Sequence, residues 1–574
     1  MSKFNRAISA LFAGVLTVGT LGLAACGGGN GGGGGNGGGN NNADTIYVKM
    51  YNGGFGTAWL SKAGEEYTAK TGTKISIKTF KSESMGPQNV KTDSAELFFL
   101  QDSHYYNFVE AGVLADISEA VTGANPYETG KTIEDKLSED QKSFLTVKDG
   151  KYYALPHYVG NWGIVYDMQL FDDSNYYFAE GQDKNDVWQD VDDRAIRAKF
   201  VKAKTDKKAN GPDGVYGTDD DGLPATYADF WLLCKYIGAT GNTPIIWSGM
   251  QRGTYLTSMM ASLIADYLGK ENLLKNFNFN IGDTLSNLAR FDEDGEVIDF
   301  TDSVVFDGTN GYEIYRQQAY YEGLSFVREL LENHKTWGNG YGTSDSFVYT
   351  DAQDTFIRSV KETKKVAMLI EGQWWENEAD GVFRSMANED EKYSRANRRF
   401  GWMALPRANS AKVEEGLART MLDAMNAYCG VKASVPAEKR EKIIDFIKFI
   451  NTDEQLVKFT QETSAMRGLS YKLTDAELSG LTSFGQSVVK GIQNSEVTYT
   501  ESTDAEYRNN ALYDVNMYAR FNYEYGTVSA PYPTVFWGGV GNKPSAGANV
   551  SAALYLYRMY NTRKTSWLGK AARA

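Results

Sequence analysis

The sequence predicts an α/β protein, because two strand patterns flank a helical pattern near the start of the chain. Segments 45–50 and 74–78 alternate apolar and polar residues, as half-buried strands do. Between these segments, apolar residues recur at helical spacing: Trp59, Leu60, Ala63 and Tyr67. A strand, a helix and a second strand in this order form a β-α-β unit, so the first two strands are expected to be parallel.

A third strand is predicted over residues 95–100, which are largely apolar, as a strand buried on both faces is. Ligands of such sheets bind at the carboxyl ends of the strands. The first strand is followed by residues 51–55 (YNGGF) and the third by residues 101–105 (QDSHY), which both combine polar and aromatic side chains. These loops suit a ligand-binding edge, although ordinary turn chemistry explains any single residue equally well.

The size, charge and composition of the chain exclude several classes of protein. Its 574 residues (63.6 kDa) predict two to four folding units at roughly 150 residues each. The net charge of −14 repels a phosphate backbone, which argues against a nucleic-acid partner. With 3 His and 3 Cys, a Cys/His zinc cluster is not expected. Aromatic residues are 13% of the chain, and this abundance favours a surface that binds a semi-polar ligand.

The first 25 residues have the pattern of a lipoprotein signal peptide. Lys3 and Arg6 precede an uncharged apolar stretch, residues 7–25, which ends in small residues directly before Cys26. Cleavage before such a cysteine leaves its thiol to carry the lipid, so we expect a protein anchored to the outer face of the cell membrane. A transmembrane anchor is the alternative, and the polar, glycine-rich sequence that follows makes it the weaker one.

Residues 26–43 are the predicted lipidated Cys26 and a flexible tether. Positions 27–42 contain only Gly and Asn, which cannot form a packed core. Their r.m.s. reach is on the order of 20–25 Å, so a globular body would stay near the membrane and be free to reorient. Cys234 and Cys429 are too few for a disulfide framework, but a single disulfide bond between them is an alternative.

Several segments, taken in order, carry a family resemblance. They are Gly150–Pro156 (GKYYALP), Gly163–Asp167 (GIVYD), Leu223–Phe230 (LPATYADF), Val366–Trp375 (VAMLIEGQWW), Phe400–Pro406 (FGWMALP) and the 443–455 segment (IIDFIKFINTDEQ). Together with the lipobox they resemble the sugar-class extracellular solute-binding proteins, family 1, of ABC importers. The likeness spans roughly Asp44 to Gly468, and it rests on the ordered set of segments instead of any one motif.

The resemblance implies a periplasmic-binding-protein-like type II fold, with two lobes, a hinge and a ligand cleft between the lobes. It places the N-terminal lobe at 44–155 plus 429–494 and the C-terminal lobe at 156–428 plus 495–574. The implied crossings between the lobes lie near 156–160, 425–428 and 495–507.

The implied function is capture of a carbohydrate, an oligosaccharide more than a monosaccharide, and its delivery to the transmembrane subunits of an ABC permease. We expect a monomer without catalytic residues and without a required cofactor. An importer protein for peptides, a surface glycoside hydrolase and an adhesive surface protein are the alternatives. A hydrolase needs two carboxylates flanking the substrate, and sequence spacing cannot reveal such a pair. The chain contains no G-x-S-x-G, H-E-x-x-H or P-loop motif.

Sugar binding combines aromatic stacking on the C–H face of the ring with hydrogen bonds to its hydroxyls. Residues suited to these tasks follow predicted strands, and the first candidates are Asn52, Asp102, Trp162, Trp247, Glu371 and Trp374. The second-ranked candidates are Tyr51, Asn161, Trp375 and Arg467. The family resemblance supports Asn52 and Trp374 best, while Glu371 stands where the family usually has a neutral residue. One of the adjacent Trp374 and Trp375 is expected to face the core. Residues 535–539 place a further aromatic pair beside glycines.

An acidic loop at 210–222 is the candidate for a metal site. Its carboxylates alternate with glycines, which suits a structural Ca²⁺ site with Asp213, Asp219 and Asp221 as ligands. The loop is not an EF-hand, because Val215 and Gly217 occupy ligand positions and the final Glu is missing. A solvated acidic turn is the alternative.

Overall fold

The computed structural model describes residues 44–80, 85–101, 105–146, 149–180, 186–278, 280–307, 309–423, 427–498 and 551–571. The predicted signal peptide, Cys26, the Gly/Asn tether, Asp102 and the 535–539 segment lie outside these ranges. Within the described ranges, no helix has both the length and the apolar composition needed to cross a lipid bilayer. Cys234 and Cys429 are buried free thiols.

The described strands are β1 Thr45–Tyr51, β2 Lys74–Phe80, β3 Leu97–Leu100, β4 Ala154–Pro156, β5 Trp162–Asp167, β6 Thr243–Ile246, β7 Thr284–Phe291, β8 Val297–Val305, β9 Val366–Gly372, β10 Phe400–Met403, β11 Arg419–Leu422, β12 Tyr428–Val431 and β13 Ser495–Thr498.

The described α-helices are α1 Ala58–Thr71, α2 Pro87–Thr92, α3 Tyr105–Glu110, α4 Ser118–Thr122, α5 Glu139–Thr146, α6 Met168–Ser174, α7 Asp193–Lys199, α8 Tyr227–Ala239, α9 Arg252–Asn278, α10 Gln318–Glu332, α11 His334–Gly338, α12 Tyr349–Arg358, α13 Trp375–Glu378, α14 Asp380–Glu389, α15 Ser410–Glu414, α16 Ala437–Ile450, α17 Asp453–Thr463, α18 Asp475–Ser479, α19 Ser483–Gln493 and α20 Ala552–Ala571.

The first lobe is built on a five-stranded sheet in the order β2-β1-β3-β12-β4. Strand β1 pairs in parallel with β2 and with β3, which confirms the predicted β-α-β unit. Strand β12 returns much later in the chain and pairs antiparallel with β3 and β4. Helices α1, α16 and α17 contribute buried side chains to the same core, including Ile443, Ile447 and Ile450 along one face of α16.

The second lobe is built on a four-stranded sheet in the order β10-β5-β9-β6. Strand β9 is parallel to β6, and β5 is antiparallel to β9 and β10. Helix α8 begins at Tyr227, because Thr226 and Asp229 form a capping box: the Asp229 N–H donates to Thr226 Oγ1 (3.2 Å), and an Asp229 carboxylate oxygen accepts from the Thr226 N–H.

Hinge segments join the two sheets. The chain leaves the first sheet after Pro156 and enters the second at Trp162, and it returns between Leu422 and Tyr428. Strands β11 and β13 pair in parallel beside these segments. The His157 N–H donates to the Ala427 carbonyl (2.9 Å), so neighbouring hinge segments are hydrogen-bonded to each other.

Helix α19, which the prediction assigned with residues up to 494 to the N-terminal lobe, contacts both lobes, and its Val489 lies in the core of the first. Phe484 and Val488 pack with Trp375 and Trp402 of the second lobe. The Trp402 N–H, on edge strand β10, donates to Ser487 Oγ (2.7 Å). The helix therefore covers the exposed edge of the second sheet, where it satisfies a backbone donor that would otherwise lack a partner on that edge.

Candidate ligand-binding cleft

The loop after β1 and the loop after β9 meet between the lobes. A Cβ atom added to Gly54 would lie 2.5 Å from Trp374 Cδ1, so only glycine fits against this indole. Asn377 Nδ2 donates to the Gly54 carbonyl (2.9 Å), which is a direct hydrogen bond between lobes. The structure thus brings the predicted Asn52 and Trp374 loops together, although more than 300 residues separate them.

A row of aromatic rings crosses from one lobe to the other at this place. The Trp374 and Trp162 ring centroids are 5.0 Å apart with perpendicular planes, and Trp162 is 4.7 Å from Tyr255. On the other side, Phe55 is 6.3 Å from Trp374 and 4.5 Å from Tyr158. We call these five residues the cleft aromatic row. Trp162 and Trp374 are only partly buried, so their rings are available to stack on a ligand.

Sequence reasoning missed three members of this row. Phe55 and Tyr158 lie in segments that the sequence marks as a strand-end loop and a lobe crossing, and those positions were the available signal. Tyr255 lies in α9, and nothing local distinguishes it from a core aromatic.

The first lobe supplies a polar rim beside the row. The Asn52 N–H donates to the Phe80 carbonyl (2.8 Å), so the backbone of Asn52 extends the pairing of β1 with β2. Tyr51 packs edge-on against Phe80 at 5.4 Å, and the side chains of Tyr51 and Asn52 are both partly exposed. Tyr158 Oη donates to Gln101 Oε1 at the end of β3. Gln101 therefore stands at the rim position next to the predicted Asp102.

Glu371 is buried beneath the cleft aromatic row, where it bonds to Tyr255, and it does not face the cleft. Its carboxylate is fully buried and accepts hydrogen bonds from Tyr255 Oη (2.7 Å), the Gly372 N–H (3.0 Å) and Gln353 Nε2 (3.3 Å). Burial, with a smaller contribution from the charge of Glu378, raises its pKa to about 8. The prediction that Glu371 touches the ligand is therefore corrected: it fixes Tyr255, which packs on Trp162.

Two predicted tryptophans are core residues. The Trp247 ring is fully buried, and its Nε1 donates to the Gly342 carbonyl (2.9 Å). Trp375 is fully buried among the rings of Phe356, Phe400 and Phe484. Neither indole offers a face to a ligand in this structure, which contradicts their assignment to the site. The expectation that one of the adjacent Trp374 and Trp375 faces the core is confirmed.

Asn161 and Arg467 are also buried, and both hold backbone segments. Asn161 Nδ2 donates to Gln373 Oε1 (3.2 Å), and the Gln373 N–H donates to the Asn161 carbonyl (3.1 Å), which links the first crossing to the Trp374 loop. Arg467 Nε donates to the His157 carbonyl, and Nη2 donates to Asn451 Oδ1 (3.0 Å). The predicted contact of Arg467 with a ligand is therefore corrected to a role in anchoring the first crossing.

Glu376 connects the Trp374 loop to the first lobe. Its Oε2 accepts from Arg395 Nη2 (3.0 Å), Ser464 Oγ (3.1 Å) and Thr482 Oγ1 (2.9 Å), and the carboxylate is buried. Ser464 ends α17 of the first lobe, whereas Glu376 and Arg395 belong to the second. We call these four residues the Glu376 latch.

The acidic loop does not gather its predicted calcium ligands. Asp213 Oδ1 accepts from the Val215 N–H (2.7 Å), and Asp221 Oδ2 accepts from the Gly217 N–H (2.9 Å). Asp219 pairs with Lys490 of α19. In the described part of the chain, no group of three or more His, Cys, Asp or Glu side chains is arranged to hold a metal ion. Asp213, Asp219 and Asp221 thus bond to backbone N–H groups and to a lysine in this structure, and the predicted Ca²⁺ site stays a prediction.

Two solved structures share this fold over nearly the whole length of both chains. A chitin oligosaccharide binding protein aligns with a TM-score of 0.50 at 13% sequence identity, covering 91% of this chain and 98% of that one. The bacterial solute receptor AcbH, described as having an exclusive substrate preference for β-D-galactopyranose, aligns with a TM-score of 0.50 at 11% identity, covering 91% and 100%. A scan against models of protein families finds no match, and a search of curated proteins finds none.

These alignments establish the fold. Two sheets, each covered by helices and joined by hinge segments, form the predicted two-lobed periplasmic-binding-protein-like arrangement of type II, and both matched proteins are solute receptors. The cleft aromatic row lies between the lobes of this fold.

Proposed function

We propose that this protein is the lipid-anchored, extracytoplasmic substrate-binding protein of an ABC importer, and that its ligand is a carbohydrate. The observation that carries the proposal is the cleft aromatic row, in which the partly exposed Trp162 and Trp374 stand beside the polar rim of the first lobe. An aromatic face next to amide and hydroxyl groups matches the apolar face and polar edge of a sugar ring. The sugar ligands named for both matched proteins support the same class.

The arrangement suits capture by closure of the lobes. A ligand on Trp374 contacts a loop of the second lobe that bonds to Gly54 and Ser464 of the first. A ligand touches Trp162 and Trp374 of the second lobe together with the rim of the first only when the lobes are closed, so binding would shift the population toward that state. The closed form would then be the one that the permease recognises. The lipid on Cys26 and the Gly/Asn tether would keep the receptor near the permease at high local concentration.

A thermal-shift screen tests the carbohydrate assignment. The purified protein is heated with monosaccharides, oligosaccharides and short peptides, and each mixture is checked for products by chromatography. A ligand at 100 times its Kd stabilises the folded state by about 2.7 kcal/mol, which raises the midpoint measurably. Stabilisation by a glycan that is recovered intact supports the proposal. Stabilisation by peptides alone would contradict the ligand class, and a cleaved glycan would contradict the binding role.

The anchoring is tested separately by fractionating cells that express the wild type or Cys26→Ser. The wild type should partition with membranes and incorporate a radiolabelled fatty acid, while the variant should do neither. Incorporation of label into Cys26→Ser would contradict lipidation at this residue.

A further inference from the structure

The buried carboxyl group of Glu371 has no cationic partner. It accepts hydrogen bonds from three neutral donors, which are Tyr255 Oη, the Gly372 N–H and Gln353 Nε2. In the part of the chain that the structure describes, no lysine, arginine or histidine pairs with this side chain. An unpaired charge in a dry environment costs several kcal/mol, so a carboxyl group placed there keeps its proton more readily than it does in water.

A second carboxylate, that of Glu378, makes ionisation of Glu371 costlier still. Gln353 Nε2 bonds to Glu371 Oε2 at 3.3 Å and also to Glu378 Oε2 at 2.9 Å, so one amide bridges the two carboxyl groups. Two negative charges this close repel each other, which favours a proton on the more deeply buried of the two. Burial, with a smaller contribution from Glu378, raises the pKa of Glu371 to about 8, and Glu371 is therefore largely protonated at pH 7.

The other groups that face Glu371 add no positive charge. Tyr255 of α9 and Tyr349 of α12 are the titratable side chains of these helices that interact with it, and burial raises the pKa of both phenols above 10. Both phenols therefore stay neutral at pH 9 and below. Strand β5 places the backbone of Gly163 opposite Glu371. Between pH 6 and 9, the fully buried group that gains or loses a proton at this place is Glu371.

Glu371 holds the cleft aromatic row at two points. Tyr255, whose Oη donates to the carboxyl group at 2.7 Å, packs its ring 4.7 Å from Trp162, and the Trp162 ring lies 5.0 Å from that of Trp374. The Gly372 N–H donates to Glu371 Oε1 at 3.0 Å, and Gly372 lies so close to the Trp374 indole that a Cβ atom there would collide with the ring. A change in these two hydrogen bonds therefore reaches both tryptophans.

A ligand in the cleft changes the surroundings of this carboxyl group. Trp162 and Trp374 are partly exposed, so water reaches their rings from the cleft. A ligand that stacks on the two rings displaces this water and lowers the effective dielectric constant above Glu371, which disfavours the ionised form further. The pKa of Glu371 is thus expected to be higher with the ligand than without it. Binding and protonation then strengthen each other by the same factor, because coupling between two sites is reciprocal.

We propose that Glu371 is a positioning residue that couples ligand binding in the cleft to a proton, so that the receptor holds its ligand with Glu371 protonated and loses affinity when this carboxyl group ionises. This inference rests on the proposed function, because it presumes that the cleft binds the ligand. The affinity should be greatest at low pH and should decrease as the pH rises through about 8. Such a receptor captures its ligand best from neutral or acidic surroundings and retains it less well in alkaline ones.

Calorimetry at pH 6, 7, 8 and 9 tests the coupling, with N-acetylglucosamine and maltose series of one to six units and galactose as the probes. The wild type should bind its glycan about fivefold more weakly at pH 9 than at pH 6, and titrations in buffers of different ionisation enthalpy should show proton uptake near pH 8. Glu371→Gln has no proton to exchange, so its affinity should not depend on pH. Glu322→Gln removes a carboxylate of α10 whose pKa burial also raises, and this matched control should keep the pH dependence.

Two further measurements apply even if Glu371→Gln does not fold. Glu378→Gln removes the neighbouring negative charge, so the decrease in affinity should move to lower pH than in the wild type. Infrared spectroscopy of the wild type without ligand should show the C=O band of a protonated carboxyl group at pH 7, with a component that disappears around pH 8.

Four results would overturn the inference. Equal affinity at pH 6 and 9, or a decrease that persists unchanged in Glu371→Gln, rejects the coupling while the sugar-binding function stands. A decrease that Glu378→Gln does not move rejects the paired carboxyl groups as its origin. Absence of the infrared component around pH 8 shows that Glu371 is already ionised, and the coupling is rejected whatever the ligand. Absence of binding to every glycan rejects the proposed function itself, and the inference is rejected with it.

Discussion

Removal of the Glu376 carboxylate tests how the Trp374 loop is held between the lobes. The Glu376→Ala variant deletes the acceptor of three hydrogen bonds and leaves the Arg395 guanidinium without its anion. Removing one partner of a buried ion pair costs about 3–5 kcal/mol. Solvent reaches Arg395, whose side chain is 22% exposed, so we expect the lower end, about 3 kcal/mol. At about 2 °C per kcal/mol for a large domain, the thermal midpoint should fall by about 6 °C.

Two further variants separate the latch from general surface effects. Glu376→Gln keeps the shape and one acceptor oxygen for the Ser464 and Thr482 hydroxyls but loses the charge, so its midpoint should lie between those of the wild type and Glu376→Ala. Glu389→Ala removes an ion pair with Lys361 that is exposed on both sides, and such pairs contribute about 0–1 kcal/mol. Its midpoint should change little.

Differential scanning calorimetry measures the midpoints, and small-angle X-ray scattering measures the radius of gyration. If the latch holds the lobes together, Glu376→Ala without ligand should have a larger radius of gyration than the wild type. A midpoint of Glu376→Ala within 1 °C of the wild type, or an equal fall for Glu389→Ala, would refute the assignment of about 3 kcal/mol to this latch.

The other predictions concern the aromatic row and two buried titratable groups. Trp374→Ala should weaken glycan binding at least tenfold, or about 1.4 kcal/mol, as measured by calorimetry. Trp247→Ala should instead cost about 3–5 kcal/mol of stability, as measured by urea unfolding, and leave the affinity of the folded fraction unchanged. The reverse pattern would contradict the placement of the two rings. Burial lowers the pKa of His157 below its ordinary value of 6.5, so protons bind preferentially to the unfolded chain, and the free energy of unfolding should decrease as the pH falls below about 6.5. Because Glu371 acts in the opposite direction over this range, the measured quantity is a difference: in urea titrations from pH 7.5 to 5, the free energy of unfolding of the wild type relative to that of His157→Phe should decrease as the pH falls, and a constant difference would contradict this. The pKa of Glu371 is raised from 4.5 to about 8, so the folded state keeps a proton that the unfolded chain releases, and stability should decrease as the pH rises from about 4.5 to 8. Glu371→Gln should remove this contribution, and an unchanged pH profile would contradict it.

Much of the local structure follows from periodicity and composition. The alternating segments at 45–50 and 74–78 form β1 and β2, and the apolar spacing between them forms α1. The start of α8 could be predicted because its capping box lies within four residues. Such features depend on contacts between near neighbours in the chain, and a sequence displays those contacts directly.

The candidate site was predicted less completely. The loops of Asn52 and Trp374 were identified because each follows a strand, and they do meet between the lobes. The same rule also selected Trp247 and Trp375, which the structure buries. A tryptophan after a strand has the same local sequence pattern whether it faces a cleft or a core, so the pattern cannot separate the two cases.

The sequence by itself determined the α/β class, the opening β-α-β unit with its third strand, and several of the loops from which a site would be built. Only the tertiary structure decided which aromatic rings face the cleft, that Glu371 supports Tyr255, and that Glu376 bonds to Ser464. These outcomes depend on residues that are about 90 or more positions apart. Burial and pairing at such separations are set by how whole sheets and helices pack against one another, because the hydrophobic effect rewards total buried area and does not specify which neighbour covers it.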